Sequence, residues 1–190
     1  EYENVLNKGK DLEYFWKEIF KMANEENITI VFAAGNQNVL IGCAPYQRDT
    51  SVIWVSAVDE YNQKPFFSNH GKGYSTISAP GVNIYSCFPG NKFVKIGGTS
   101  MAAPIIAGVV ALMKSVNTDL TNKEIIKILK ETGKNVDVGI GPLVQVDKAL
   151  ALCGGSNISP NEIDKKIRRI NKEIEELEKK REKLLKEKNN

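Results

Sequence analysis

The chain has 190 residues, 42% of them hydrophobic and 26% charged, with a net charge of +3, three Cys and a single His. This is enough apolar material for one ordinary domain and an appendage. The longest nearly apolar run, Met101 to Met113, is too short for a membrane span and contains Pro104. The start, Glu1-Tyr2-Glu3-Asn4, has neither the basic nor the apolar region of a signal peptide. Cys43, Cys87 and Cys153 lie far apart with no paired spacing, which argues against a zinc knuckle or a disulfide framework. A mechanism that needs an imidazole base must use His70 or borrow one from elsewhere.

Residues 11–26 place Leu12, Phe15, Trp16, Ile19 and Ala23 on one stripe, which predicts an amphipathic helix. The run 28–34 (ITIVFAA) is short, apolar and β-branched, as a strand buried on both faces of a parallel sheet reads. Residues 51–58 (SVIWVSAV) read the same way. Shorter strands are predicted at 82–87 and 92–96, with Pro89-Gly90-Asn91 as a hairpin turn. An apolar helix opens at Thr99 or Ser100 and runs to about Lys114. Pro104 requires its N-terminus to lie within about one turn of Ser100. A further helix is predicted from the capping box Thr121-x-x-Glu124 to Gly133. Helices alternating with buried strands imply a three-layer α/β domain with a mainly parallel sheet.

The tail differs in kind. Residues 161–190 hold 11 Lys/Arg and 8 Asp/Glu, whereas 1–160 hold 15 of each. The basic surplus therefore belongs to the tail, and the body gives no electrostatic case for nucleic acid. The shift marks a domain at 1–153, a linker at 154–160 and a helical tail at 161–190. Ser159-Pro160-x-Glu162 reads as a helix start, and Ile163, Ile167, Ile170, Ile174, Leu177 and Leu184 follow a heptad register broken at Arg181. Such a tail suits self-association, a partner helix or a solvated spacer.

Two short segments carry chemistry. In Gly98-Thr99-Ser100-Met101-Ala102-Ala103-Pro104, a Ser at a helix N-terminus has its hydroxyl near unpaired N–H groups and the positive end of the dipole. Both favour negative charge on a carbonyl oxygen undergoing acyl transfer. In Ala33-Ala34-Gly35-Asn36, Asn36 follows a strand end, where ligand sites collect in α/β sheets, and its amide can donate to the same oxyanion. Each segment alone is also an ordinary cap or turn.

These blocks occur with S-V-I-W-V-S-A-V-D (51–59), F-S-N-H-G (67–71), A-P-G-V-N-I-Y-S (79–86) and G-x-G-P-L-V-Q-V-D (139–147). From about Asp11 to Leu152 the chain resembles the C-terminal half of subtilisin-like serine proteases. The resemblance implies a subtilisin-like α/β domain that hydrolyses peptide bonds through an acyl-enzyme. It makes Ser100 the nucleophile and Asn36 the side-chain donor of the oxyanion hole, beside the Ser100 N–H. Ala33, Ala34 and Gly35 would line the substrate pocket, with Cys43, just before Pro45, near its closing wall. No cofactor is expected. Structural calcium is common in the family, but no acidic cluster stands out here.

The family's Asp and His motifs, D-T/S-G and H-G-T, do not occur in the chain. His70 falls within F-S-N-x-G and reads as a residue of a surface turn. Asp49, Asp59 and Asp147 have no histidine partner in the motif sense. The start at Glu1 suggests a partial sequence, inactive by itself because a Ser hydroxyl without a base is a poor nucleophile. Two other readings stand beside the peptidase: a catalytically inactive binding module acting through its tail, and an unrelated α/β hydrolase. The latter wants G-x-S-x-G where this chain has G-T-S-M-A.

Overall fold

The computed structural model describes residues 2–136, 139–154 and, in the tail, Arg169, Lys172, Ile174 and Glu176. The chain divides into two compact units, Glu1–Cys153 and Gly154–Asn190. In the second unit Gly154 is a half-buried turn residue, and Arg169, Lys172, Ile174 and Glu176 are helical and exposed. The helix-start motif at 159–162 and most of the predicted heptad stripe lie outside the described residues.

The first unit is a three-layer α/β arrangement. Helix α1 (Tyr2–Glu25) leads into β1 (Val31–Ala33), which pairs in parallel with β2 (Ile53–Val58), and β2 pairs in parallel with β3 (Ile77–Pro80). A hairpin of β4 (Ile84–Phe88) and β5 (Lys92–Ile96) follows, then helices α2 (Thr99–Val116), α3 (Asn122–Thr132) and α4 (Val146–Cys153).

Strand β2 is buried along its whole length, as its uninterrupted Ile-Trp-Val-Ser-Ala-Val sequence predicts. Its alternate side chains serve two layers. Trp54 joins Phe32, Trp16, Phe20 and Tyr46 in an aromatic cluster on the α1 side. Ala57 faces the other way, where a Cβ on Gly81 would meet both Ala57 and Ala102 of α2. Helix α2 lies along β1, β2 and β3 and buries Ala102, Ile106, Val109, Val110 and Met113. Shortening a side chain as enclosed as Ile106 to Ala typically costs about 2–5 kcal/mol.

Several expectations need correction. Strand β1 is half-buried throughout, not enclosed on both faces, because it is the terminal strand of the described sheet. On α1 the buried anchor is Phe20, outside the predicted stripe, while Leu12 and Phe15 are exposed. The helix is oriented by aromatic contacts to Phe32 and Tyr46, which its own periodicity cannot reveal. Helix α2 spans 18 residues, longer than the run Met101–Met113, and by length and composition is apolar enough to cross a membrane. It packs on the sheet as a core helix, with Pro104 in its second turn. Strand β3, helix α4 and a 3-10 turn at Pro45–Arg48 were not anticipated. The Ser and Thr content of 75–78 hides β3: Ser75, Thr76 and Ser78 are buried.

The two ends of the α/β crossovers are pinned by amides. Asn27 Nδ2 donates to Leu120 O at 3.0 Å, and Asn122 Nδ2 donates to Ile28 O at 2.9 Å. These bonds fix the entry to β1 against the α2–α3 turn, and Asn122 is accordingly buried.

The cap of α3 is formed reciprocally. Thr121 Oγ1 accepts from Glu124 N, and the Thr121 N–H donates to Glu124 Oε2 at 2.8 Å. Thr121→Ala is expected to cost about 1 kcal/mol in chemical denaturation. The bonds to the Thr121 backbone and hydroxyl lower the Glu124 pKa from its ordinary 4.5. The carboxylate's contribution is therefore present above pH 4.5 and lost as pH falls through the lower folded value. The stability difference between the wild type and Glu124→Gln should shrink with acid in that range; a pH-independent difference would contradict this assignment.

All three cysteines are free, with Cys43 and Cys87 exposed and Cys153 buried at the end of α4. Burial pushes the Cys153 thiol up to about 11, so little reactive thiolate forms near neutrality. Iodoacetamide on the native protein should alkylate Cys43 and Cys87 and spare Cys153, as read by peptide mass spectrometry.

Candidate active site

The site forms where the loop after β1 meets the start of α2. Chain entry to α2 runs through Gly98 at φ +154°, a conformation that L side chains rarely adopt. A Cβ there would also crowd the Asn36 amide nitrogen at 3.3 Å. The Gly98 N–H donates to Gly81 O at 2.7 Å, which ties the end of β5 to the segment after β3 and fixes the direction of the helix axis.

Thr99, wholly buried, joins the two sequence segments. Its Oγ1 accepts from the Gly35 N–H at 3.1 Å and donates to Asn36 Oδ1 at 3.0 Å. Its backbone N–H donates to the same Oδ1 at 2.9 Å. A backbone N–H can only donate, so the Asn36 oxygen must face Thr99. The amide nitrogen is thereby turned away from Thr99, with its two N–H donors uncommitted, on an exposed residue. Ser100 follows in the first turn of α2, exposed, with neither its hydroxyl nor its N–H bonded to a described residue. The arrangement thus offers an exposed hydroxyl, a free helix-terminal N–H and an oriented carboxamide at one helix start.

The loop carrying Asn36 is held by Asn69, a residue the sequence offered only as part of a motif. Buried Asn69 donates through Nδ2 to Ala34 O at 2.9 Å, and its Oδ1 accepts from Gln37 N at 2.9 Å and Val39 N at 3.0 Å. Gly35, at φ +103°, makes the turn between them, and a Cβ there would fall 2.4 Å from Asn69 Nδ2. Asn69 is itself fixed from below: its carbonyl accepts from Ser56 Oγ of β2 at 3.0 Å, and its N–H donates to Gly35 O at 2.9 Å.

Of the predicted pocket residues, Ala33 ends β1 half-buried, Ala34 is buried and Gly35 leads into Asn36. Cys43 sits on a separate loop, exposed, its thiol directed to Leu40 O at 3.4 Å. That loop is braced by Gln47 Oε1, which accepts from Gly42 N, and by Arg48 Nε, which donates to Gly42 O. The contacts do not bring Cys43 to any of the other candidates. His70 is not in a free surface turn: its backbone pairs with Val39 and Ile41, and its half-buried ring has an Nδ1 with no hydrogen-bond partner. No hydrogen bond joins it to Ser100. Among the described residues no group of three or more His, Cys, Asp or Glu is placed to hold a metal ion. A cavity of about 550 Å³, lined by Asn24, Thr50, Ser51, Lys123, Ile126 and Lys130 among others, includes none of the candidate residues.

Asn69→Ala removes three bonds to the loop backbone at roughly 1 kcal/mol each and should lower the unfolding free energy by about 2–4 kcal/mol. Gly35→Ala should destabilise the fold through its backbone strain and its clash with the same amide. Both effects are measurable by urea denaturation; an unchanged midpoint for either would refute the role given to this clamp.

The model of the subtilase family, peptidase S8, matches residues 5–154. Over 110 residues the chain is 43% identical to a thermostable alkaline protease of Halalkalibacterium halodurans, a match covering 58% of this chain and 30% of that protein. It is 36% identical over 115 residues to subtilisin Savinase of Lederbergia lenta, covering 60% of this chain and 42% of that protein. The chain therefore spans well under half the length of these curated relatives. Among solved structures, proteases from Pseudoalteromonas arctica align with a TM-score of 0.63 at 27% identity, covering 70% of this chain and 45% of that one. A cold-adapted subtilisin-like serine proteinase aligns with a TM-score of 0.59 at 29% identity, covering 65% of this chain and 46% of that one. Fold, motif order and family match agree: the chain belongs to the subtilase family of serine proteases.

Proposed function

We propose that this chain carries the nucleophile and oxyanion-binding half of a serine endopeptidase site, and that the Asp and His of the triad come from a part of the subtilase domain not contained in these 190 residues. The observation that carries this reading is the double anchoring of Asn36 Oδ1 by Thr99, which turns the amide donors away from Thr99 at the helix start that bears Ser100.

In this reading Ser100 Oγ attacks the carbonyl carbon of a peptide bond while its proton passes to the imidazole. The carbonyl π pair moves to oxygen, and the resulting oxyanion accepts from the Ser100 N–H and Asn36 Nδ2. Collapse of this intermediate breaks the C–N bond. The leaving amine takes the proton from the imidazole, and an ester to Ser100 remains. Water, activated by the same base, then cleaves the ester. The backbone and small side chains of Ala33, Ala34 and Gly35 form one wall of the substrate pocket, with Cys43 as the more distant candidate. Without the imidazole, the remaining apparatus supports only residual turnover.

With the domain completed by its Asp and His portion, a fluorophosphonate probe should label Ser100, and Ser100→Ala should abolish labelling. Asn36→Ala should retain the fold and lower turnover by ~10²–10³, the cost of one lost oxyanion donor, an effect for which the subtilisin Asn is the established example. The 190-residue chain alone should label poorly. Persistent labelling of Ser100→Ala would overturn the nucleophile assignment, and a completed domain that never labels would favour a binding module.

A further inference from the structure

The cavity that holds none of the candidate residues lies at the opposite end of the sheet from them. Asn36, joined by Thr99 to the start of α2, follows the carboxyl end of β1. Asn24 instead precedes β1, and Thr50 precedes β2, which runs parallel to it. Helix α3 supplies the remaining wall, with buried Ile126 as its apolar part and exposed Lys123, Lys127 and Lys130 around it. A volume of about 550 Å³ suits a small molecule, whose sites typically measure roughly 300–1,000 Å³.

The wall is rich in donors and poor in acceptors. Three ammonium groups line it beside one carboxylate, Glu131, which pairs with Lys127 at 3.8 Å. Lys123 and Lys130 have no ion-pair or hydrogen-bond partner among the described residues, and neither do the Asn24 carboxamide and the Thr50 hydroxyl. The acidic groups next to the lining in sequence are engaged. Asp49 Oδ1 accepts from the Ser51 N–H and hydroxyl, and Glu124 is held in the α3 cap. Three Lys against one Glu leave the lining a surplus of two positive charges. Lys123 and Lys130 are seven residues apart, about 10.5 Å along the helix axis. Separate anionic groups on one ligand therefore match them without drawing their side chains together. An ammonium donates three hydrogen bonds and accepts none, and phosphate oxygens supply the acceptors that such a wall lacks.

We propose that this cavity is a second site, separate from the candidate active site, for a small molecule carrying two or more linked phosphate groups. Lysine is a point charge on a flexible stem, so the site selects density of negative charge over a fixed outline. Its walls come from the end of α1, the segment before β2 and α3, so occupancy ties three elements together. A ligand that binds only the folded chain stabilises it.

Inorganic triphosphate is the probe, titrated into the 190-residue chain by calorimetry and followed in parallel by melting temperature. It should bind saturably at one per chain and raise the melting temperature, with orthophosphate at least about tenfold weaker. Lys123→Gln combined with Lys130→Gln should weaken triphosphate at least about tenfold and leave the ligand-free melting temperature unchanged. Glu131→Gln should tighten binding, whereas Lys92→Gln, on the β4–β5 hairpin, should leave it unaltered. Absence of saturable binding would overturn the proposal. So would an affinity indifferent to the Lys123 and Lys130 substitutions, which would put the anion elsewhere, the basic residues 161–190 included. An equal loss with Lys92→Gln would reduce the effect to net charge, and a hexaglutamate peptide that binds as tightly as triphosphate would make the occupant an acidic peptide. Either result also sinks the assignment.

Discussion

The buried hydroxyl of Thr99 is the joint on which the site depends. It receives the Gly35 N–H and passes its own proton to Asn36, while the adjacent backbone N–H reaches the same oxygen. Three hydrogen bonds thus connect segments 63 or 64 residues apart in sequence, and two of them set the orientation of one carboxamide. A helix N-terminus always has unmet N–H groups. Here one of them is spent on aiming a side chain, and the next has no partner among the described residues.

Around that joint the structure divides its labour. The sheet and its two helical layers supply rigidity through apolar burial, centred on β2, which is enclosed along its whole length. Polar groups inside the domain act as local clamps. Asn122 and Asn27 tie the connection between α1 and β1 to the α2–α3 turn, and Ser56 supports Asn69 from within the sheet. Each of these amides bonds to backbone atoms, so they fix chain path instead of pairing charge with charge. The only described ion pair, Lys127 with Glu131, lies on the surface and contributes little.

Much of this was legible in the residues. The runs at 51–58 and 99–114, the Pro-Gly-Asn turn and the Thr121 box each carry a local signal strong enough to survive folding. The meeting of the two chemical segments was legible as well, because the A-A-G-N and G-T-S-M-A-A-P blocks come in order, and the structure joins them through Thr99. What escaped was set by contacts distant in sequence. Strand β3 hides because Ser78 and, just before the strand, Ser75 and Thr76 are polar residues that the fold buries; Thr76 Oγ1 and Ser75 Oγ accept from Trp54 N and Gly141 N. Phe20 is an anchor only because Phe32 and Trp16 surround it. The half-burial of β1 and the pairing of His70 with Leu40 likewise depend on which neighbours the chain does and does not bring.

Asn69 grips the loop at 34–39 mostly by its main chain, through Ala34 O, Gln37 N and Val39 N, with one further bond to Gln37 Oε1. The exposed Val39 side chain carries no share of that grip, whereas Asn38 accepts from Lys64 Nζ at 2.9 Å and holds a positive φ. Substitution of the Val39 side chain is therefore uncoupled from the placement of Asn36. A lineage with this clamp can vary the surface at that position without disturbing the carboxamide next to it.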